Sequence, residues 1–177
     1  ADAERMLEAY RALSDATAGA VNPLVGESLA ALGYDRELTL VAGPARPAPP
    51  WTDRLQVVDG ELRLSAPAVI DLGALGKGRL VDLVLAALGA VDGRVVVDAG
   101  GDMAVSGGSV RVGLEHPYDT TRAIGVVEVR DGAVCGSAVN RRAWGEGLHH
   151  VLDARTGEPV RAWAATWAFA DRAMTAD

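Results

Sequence analysis

Three short segments gather the groups that could do chemistry in this chain of 177 residues. Asp71-Leu72-Gly73-Ala74-Leu75-Gly76-Lys77-Gly78 sets three glycines and a lysine directly before an apolar helical pattern. Glycines let backbone amides approach an anion, and a helix start adds a favourable dipole. Lys77 is the only lysine in the sequence, so a compact ammonium is reserved for this loop. The spacing is not that of a Walker loop, and a tight turn with a solvated lysine accounts for it equally well. Asp98-Ala99-Gly100-Gly101-Asp102 follows a β-branched run and sets two carboxylates around a glycine pair, either a strand end opening onto a site or an ordinary turn. His149-His150 stands just before Asp153-Ala154-Arg155-Thr156-Gly157-Glu158-Pro159. Adjacent histidines in a strand point to opposite faces, so at most one of them faces a common site. They lack the i, i+4 spacing of a zinc pair.

Other chemistries are poorly served. Gly136-Ser137 lacks a full nucleophile elbow, and no Ser/His/Asp trio stands out by spacing. Cys135 is the one cysteine, which excludes an internal disulfide and reads as packing rather than as a nucleophile. The formal charge of -7, from 24 acidic and 17 basic residues, argues against broad binding to nucleic acid or to anionic lipid. No apolar stretch approaches the roughly 18 to 20 residues of a membrane span, so none is expected.

The elements that must position these groups alternate in type. Met6, Leu7, Tyr10 and Leu13 recur at helical spacing, and a second helical pattern follows Asn22-Pro23. Gly43 to Pro50 holds four of the eight prolines and predicts an irregular connector. Asp59-Gly60 and Asp131-Gly132 each predict a hairpin. Between them, Leu80 to Leu88 reads as a helix and Arg94 to Val97 as a fully buried strand. Trp163 and Trp167 fall on one face of a strand expected over Val160 to Phe169, facing the core. The whole predicts one α+β domain over residues 1–177, with mixed or antiparallel strands and packed helices. The loops at Gly73 to Gly78, Gly100 to Asp102 and His150 to Gly157 are expected to share one cleft.

In order and spacing these segments resemble the ApbE-type FAD:protein FMN transferases, over most of the chain. Gly19-Ala20-Val21-Asn22-Pro23 takes the place of that family's Gly-Ala-Phe-Asp-Pro. Asp71 to Gly78 matches its Asp-Leu-Gly-Gly-Ile-Ala-Lys-Gly loop, Gly100-Gly101-Asp102 its Gly-Gly-Asp strand end, and His150 to Gly157 its His-Ile-Ile-Asp-Pro-Arg-Thr-Gly turn. Ala176-Asp177 looks like the Ala-Asp that opens the family's metal-binding helix. The resemblance also implies a partial domain, lacking the family's N-terminal strand region and the rest of the metal helix. Departures occur at Val21 for phenylalanine, Asn22 for aspartate and Ala154 for proline.

The resemblance implies a T-fold-like flavin transferase core that uses FAD as substrate with Mg²⁺. FMN would pass from FAD to a threonine hydroxyl of an acceptor flavoprotein, releasing AMP. The residues implied to contact FAD are Ala20, Val21, Asn22, Asp71, Lys77, Gly100, Gly101, His150, Val151 and Thr156. The carbonyl of Ala74 and the carboxylate of Asp177 are implied to hold the metal, and His150 and Asp177 to be catalytic. A terminal carboxylate at Asp177 is expected to fray unless something ties it down. Two other readings use the same site: a non-catalytic FAD-binding module, or hydrolysis of FAD to FMN and AMP. The resemblance implies a bacterial protein and leaves the compartment open between cell envelope and cytoplasm.

Overall fold

The computed structural model describes residues 2–177. The chain divides into two compact units, Ala1–Leu72 with Arg142–Arg161 and Gly73–Arg141 with Ala162–Asp177.

The first unit opens with α1 (Asp2–Ala16), which buries Leu7 and Tyr10, and a short α2 (Gly26–Ala31). Asn22 makes the turn between them: its Oδ1 accepts from the Leu24 amide at 2.8 Å and its Nδ2 donates to the Pro49 carbonyl at 2.9 Å. A hairpin, β1 (Leu55–Val58) and β2 (Glu61–Leu64), turns at Asp59 and Gly60, both with positive φ, the conformation an Asp-Gly turn supplies at least strain. The proline-rich stretch is irregular, as expected, and Ala48 is tied by its amide to the Ala154 carbonyl at 2.8 Å.

The second unit is built on an antiparallel sheet. After α3 (Gly76–Ala87) come β3 (Val95–Asp98), β4 (Asp102–Ser106), β5 (Ser109–His116), β6 (Asp119–Arg130) and β7 (Ala133–Ala138). Two small ladders of the first unit follow, β8 (Ala143–Trp144) with β9 (Leu148–His149) and β10 (Leu152–Asp153) with β11 (Glu158–Pro159). The chain then returns through β12 (Ala165–Ala170) to a single turn of helix, α4 (Ala173–Ala176). The main sheet runs β12-β7-β4-β3, and β5 pairs with β6 apart from it. Every strand pair is antiparallel, within the α+β class expected.

Period-two alternation gives the sheet two different faces. Ala104, Ala133 and Cys135 point to one, where they pack with Val81 of α3 and Ala173 and Ala176 of α4. Val105 and Val134 point to the other, against Val129 and its neighbours on the β5–β6 ribbon. Asp102 shares the parity of Ala104, so the alternation that builds the core also sends its carboxylate under the helices.

Three expectations are corrected here. Asp131-Gly132 does not close a hairpin: β6 and β7 lie in different sheets, and the Asp131 carboxylate instead accepts from the Gly108 amide at 3.1 Å. Only Asp131 of the pair has positive φ, so the two-residue hairpin geometry is not met. The strand near Arg94 is an edge strand whose outward Val96 is 41% exposed, rather than a fully buried one. Trp163 precedes β12 and is 69% exposed, since the strand begins five residues later than the expected Val160. Trp167 does lie in β12, half-buried over Gly136, where a Cβ would come within 3.1 Å of the indole.

Candidate functional site

The helix of the lysine loop starts earlier than its apolar pattern, at Gly76, so Lys77 and Gly78 form its first turn. That places the lysine ammonium directly against the Asp102 carboxylate, which is fully buried at the start of β4. Lys77 itself remains 39% exposed. Asp102 Oδ1 has no hydrogen-bond partner. The Asp177 carboxylate completes the cluster: its Oδ2 accepts from the Gly78 amide at 2.8 Å and its Oδ1 lies 3.9 Å from Lys77 Nζ. Its side chain is 4% exposed, and the Gly78 amide ties it down, so the expected fraying does not occur.

Two carboxylates therefore face one ammonium in a poorly hydrated site. Burial pushes the Asp177 carboxyl above its ordinary range; the Gly78 amide draws it down, the Asp102 charge raises it further, and Lys77 lowers it. Nearby Cys135 donates its thiol to the Ala173 carbonyl at 3.3 Å. Burial first, then the charges of Asp102 and Asp177, push its pKa up to about 12. The thiol should accordingly stay unreactive toward a disulfide reagent in the folded protein at pH 8 and label at once on unfolding. Fast labelling of the native protein would show that the thiolate is accessible.

The helices grip each other at both ends. α3 has no side-chain cap of its own at Leu75, and Asp177 fills that role for the Gly78 amide. α4 likewise has none at Arg172, and Asp82 of α3 accepts from the Ala173 and Met174 amides at 2.9 and 3.3 Å. Gly78 is required for this approach: a Cβ there would lie 2.7 Å from both the Asp177 Cβ and the Ala173 carbonyl carbon. The glycine thus serves helix contact rather than an anion cradle. Gly78→Ala should cost about 1–3 kcal/mol through overpacking and displace Asp177; thermal unfolding measures it, and an unshifted midpoint would mean that α4 yields freely.

The glycine pair has its own internal work. Gly100 and Gly101, with φ of 73° and 110°, donate their amides to Asp98 Oδ1 at 2.9 and 3.2 Å. Ala74 lies half-buried in the turn that enters α3. Among the described residues no group of three or more His, Cys, Asp or Glu side chains forms a metal centre. The oxygen donors present, Asp177 and the unpartnered Asp102 oxygen, fit a hard cation that keeps several waters, as Mg²⁺ does.

The remaining expected residues belong to the first unit. Ala20, Val21 and Asn22 meet the His150 to Gly157 turn there, through the Ala154 amide donating to the Ala20 carbonyl at 3.0 Å. Thr156 Oγ1 accepts from the Glu158 amide at 3.1 Å and helps close that turn, whose Arg155 pairs with Asp153 at 2.6 Å. Asp71 also lies here, its carbonyl accepting from the Tyr10 hydroxyl at 3.1 Å, so the division of the chain falls within the Asp71 to Gly78 motif. Of the two histidines, His149 is the structural one. It is buried, its Nδ1 accepts from the Val151 amide at 3.3 Å, and burial lowers its pKa. His150 lies just beyond β9, its amide on the Arg142 carbonyl at 3.2 Å.

Comparison with known proteins finds the same fold in solved structures. The ApbE protein of Thermotoga maritima MSB8 has a TM-score of 0.83 and 25% identity, over 99% of this chain and 62% of that one. The flavinyl transferase ApbE of Pseudomonas stutzeri, in its apo form, has a TM-score of 0.72 at 19% identity, over 99% and 59%. The flavin transferase ApbE from Vibrio cholerae has 0.75 at 23% identity, over 97% and 60%. The chain thus spans about three-fifths of the length of these structures. No curated protein sequence matches it significantly. The sequence profile of the ApbE family matches residues 1–177, and with the shared fold this establishes that the chain belongs to the ApbE family.

Proposed function

We propose that this chain is the core of a flavin transferase that binds FAD and passes its FMN half to a threonine hydroxyl of an acceptor flavoprotein, releasing AMP. The observation that carries the reading is the cluster of Lys77, Asp102 and Asp177 at the start of α3. Splitting a pyrophosphate calls for fixed charge at its oxygens in a poorly hydrated site, where such charge is most effective. Membership of the ApbE family supports the same assignment.

In the proposed reaction the threonine oxygen bonds to the FMN phosphorus, the bond from that phosphorus to the bridging oxygen breaks, and AMP leaves with that oxygen. The hydroxyl proton passes to a protein base, His150 or an aspartate. The Lys77 ammonium has three donors, one of them used by Asp102, and its exposed side is open to a phosphate oxygen. Asp177, with the Ala74 carbonyl and the unpartnered Asp102 oxygen, would hold Mg²⁺. A bound Mg²⁺ would supply hard positive charge to the pyrophosphate oxygens. Ala20, Val21, Val151 and Thr156 are assigned to the flavin on resemblance alone. Asn22 is assigned to the flavin on the same ground, and its amide also ties the loop through Leu24 and Pro49.

Product analysis tests the reading. With FAD, Mg²⁺ and a threonine-bearing acceptor peptide, transfer yields AMP and covalently flavinylated peptide in equal amounts. Free FMN with AMP regardless of acceptor would replace transfer by hydrolysis. Bound but intact FAD would leave a binding module.

A further inference from the structure

We infer that Asp82 is a positioning residue for Asp177, acting through α4, and so governs the cation affinity and turnover of the site without touching either ligand. This rests on the proposed role of Asp177, although the geometry behind it does not.

α4 is one turn of four residues, too short to be stable alone, since nucleating a helix fixes several residues for a single hydrogen bond. Its position therefore comes from what it touches. At its N-terminal end Asp82 takes two of the amides that the turn leaves without an internal acceptor. The same carboxylate lies 3.7 Å from Arg172 Nε, the residue before the turn. At its C-terminal end the Asp177 amide closes on the Ala173 carbonyl at 2.8 Å, and the Asp177 carboxylate returns to Gly78. Gly78 and Asp82 are four residues apart, so they stand on the same face of α3, one turn from each other. One turn of α3 thus sets both ends of α4, and moving the Asp82 end displaces the Asp177 end.

Asp82 is buried within an otherwise apolar run of α3, a costly place for a carboxylate that the α4 amides and Arg172 offset. A helix surface serving only to pack against Ala173 would be filled by an apolar residue of similar size. The carboxylate instead fixes the direction and height of the turn above the sheet, as groups behind a ligand residue do elsewhere.

The test compares Asp82→Ala and Asp82→Asn with the parent protein by amide NMR and by Mg²⁺ titration. Asparagine keeps one acceptor for the Ala173 amide and serves where alanine prevents folding. In both variants the Gly78 amide resonance should move upfield as it loses its charged acceptor, while sheet amides such as those of Val105 and Val134 stay in place. Exchange of the Gly78 and Asp177 amides should quicken, and Mg²⁺ affinity fall about tenfold to a hundredfold, with alanine the more severe. In the transfer assay kcat should fall with little change in KM for FAD. A role confined to stability would lower the melting temperature yet leave the Gly78 resonance and Mg²⁺ affinity of the folded variants unchanged, which overturns the inference. If the parent neither transfers flavin nor binds Mg²⁺ but Gly78 still moves in the variants, the coupling of Asp82 to Asp177 stands and the flavin reading falls.

Discussion

Asp177→Asn is expected to lower the proposed Mg²⁺-dependent flavin transfer by about a hundredfold to a thousandfold, equivalent to roughly 3–4 kcal/mol of transition-state stabilisation. The protein should remain folded. Asparagine is the same size, and its oxygen can still accept from the Gly78 amide that now holds Oδ2 at 2.8 Å. What disappears is a charge that burial and the neighbouring Asp102 already disfavour. The Lys77–Asp102 pair is then left neutral overall, so thermal stability should hold or rise slightly. FAD affinity in the absence of metal should change little, because the carboxylate is proposed to act on the charge developing at phosphorus. A single-turnover assay following covalent flavin on an acceptor peptide decides the matter; equal rates in the two proteins would remove Asp177 from the mechanism.

Lys77→Ala should damage both the fold and the ligand site, a larger effect than the loss of a loop lysine would suggest. From sequence, this side chain reads as contributing to phosphate charge and little to packing. The structure places its ammonium on a fully buried carboxylate, and removing one partner of such a pair costs about 3–5 kcal/mol where both are buried. Because Lys77 is 39% exposed and water can partly replace it, about 2–3 kcal/mol is expected here. Affinity for FAD should fall a further tenfold to a hundredfold, roughly the worth of one charge-assisted contact. The two effects separate in the double variant Lys77→Met with Asp102→Leu. It removes both charges and should recover most of the stability while FAD binding stays weak. Denaturant unfolding and fluorescence titration of FAD supply the two readings, and recovery of affinity along with stability would show that Lys77 does not contact the ligand.

Legibility in the sequence followed the range of the interactions involved. The helix that follows the lysine motif, the glycine turn before Asp102 and the α+β class were readable because each is written in adjacent residues or in a short period. The Asp59-Gly60 hairpin was readable for the same reason. The Asp131-Gly132 turn was not, because whether two strands pair or part depends on their other neighbours: β7 is taken by β4 and β12, which leaves β6 to β5. Val95 to Val97 looks like a buried strand by composition, yet its place at the sheet edge is a matter of strand order that composition does not carry. The role of Asp82 is not written in its neighbourhood, since its partners on α4 lie 91 and 92 residues away. Asp102 stands out in sequence as a carboxylate beside glycines, but its pairing with Lys77 follows from strand parity, which needs the sheet to be known first.

The bond between Gly78 and Asp177 joins positions 99 residues apart, whereas Lys77 and Asp102 are separated by 25. A ribosome adding about 5–20 residues each second would deliver the nearer pair within a few seconds and the farther one roughly 5–20 s after α3 has emerged. For that interval the first turn of α3 has no carboxylate over its amide, and the apolar face awaiting Ala173 and Ala176 is uncovered. The nascent chain therefore passes through a stage in which Lys77 and Asp102 have both been made but the second carboxylate is absent. Competence at this cluster therefore trails α3 by the time needed to make the 99 residues between Gly78 and Asp177, until α4 has emerged to close it.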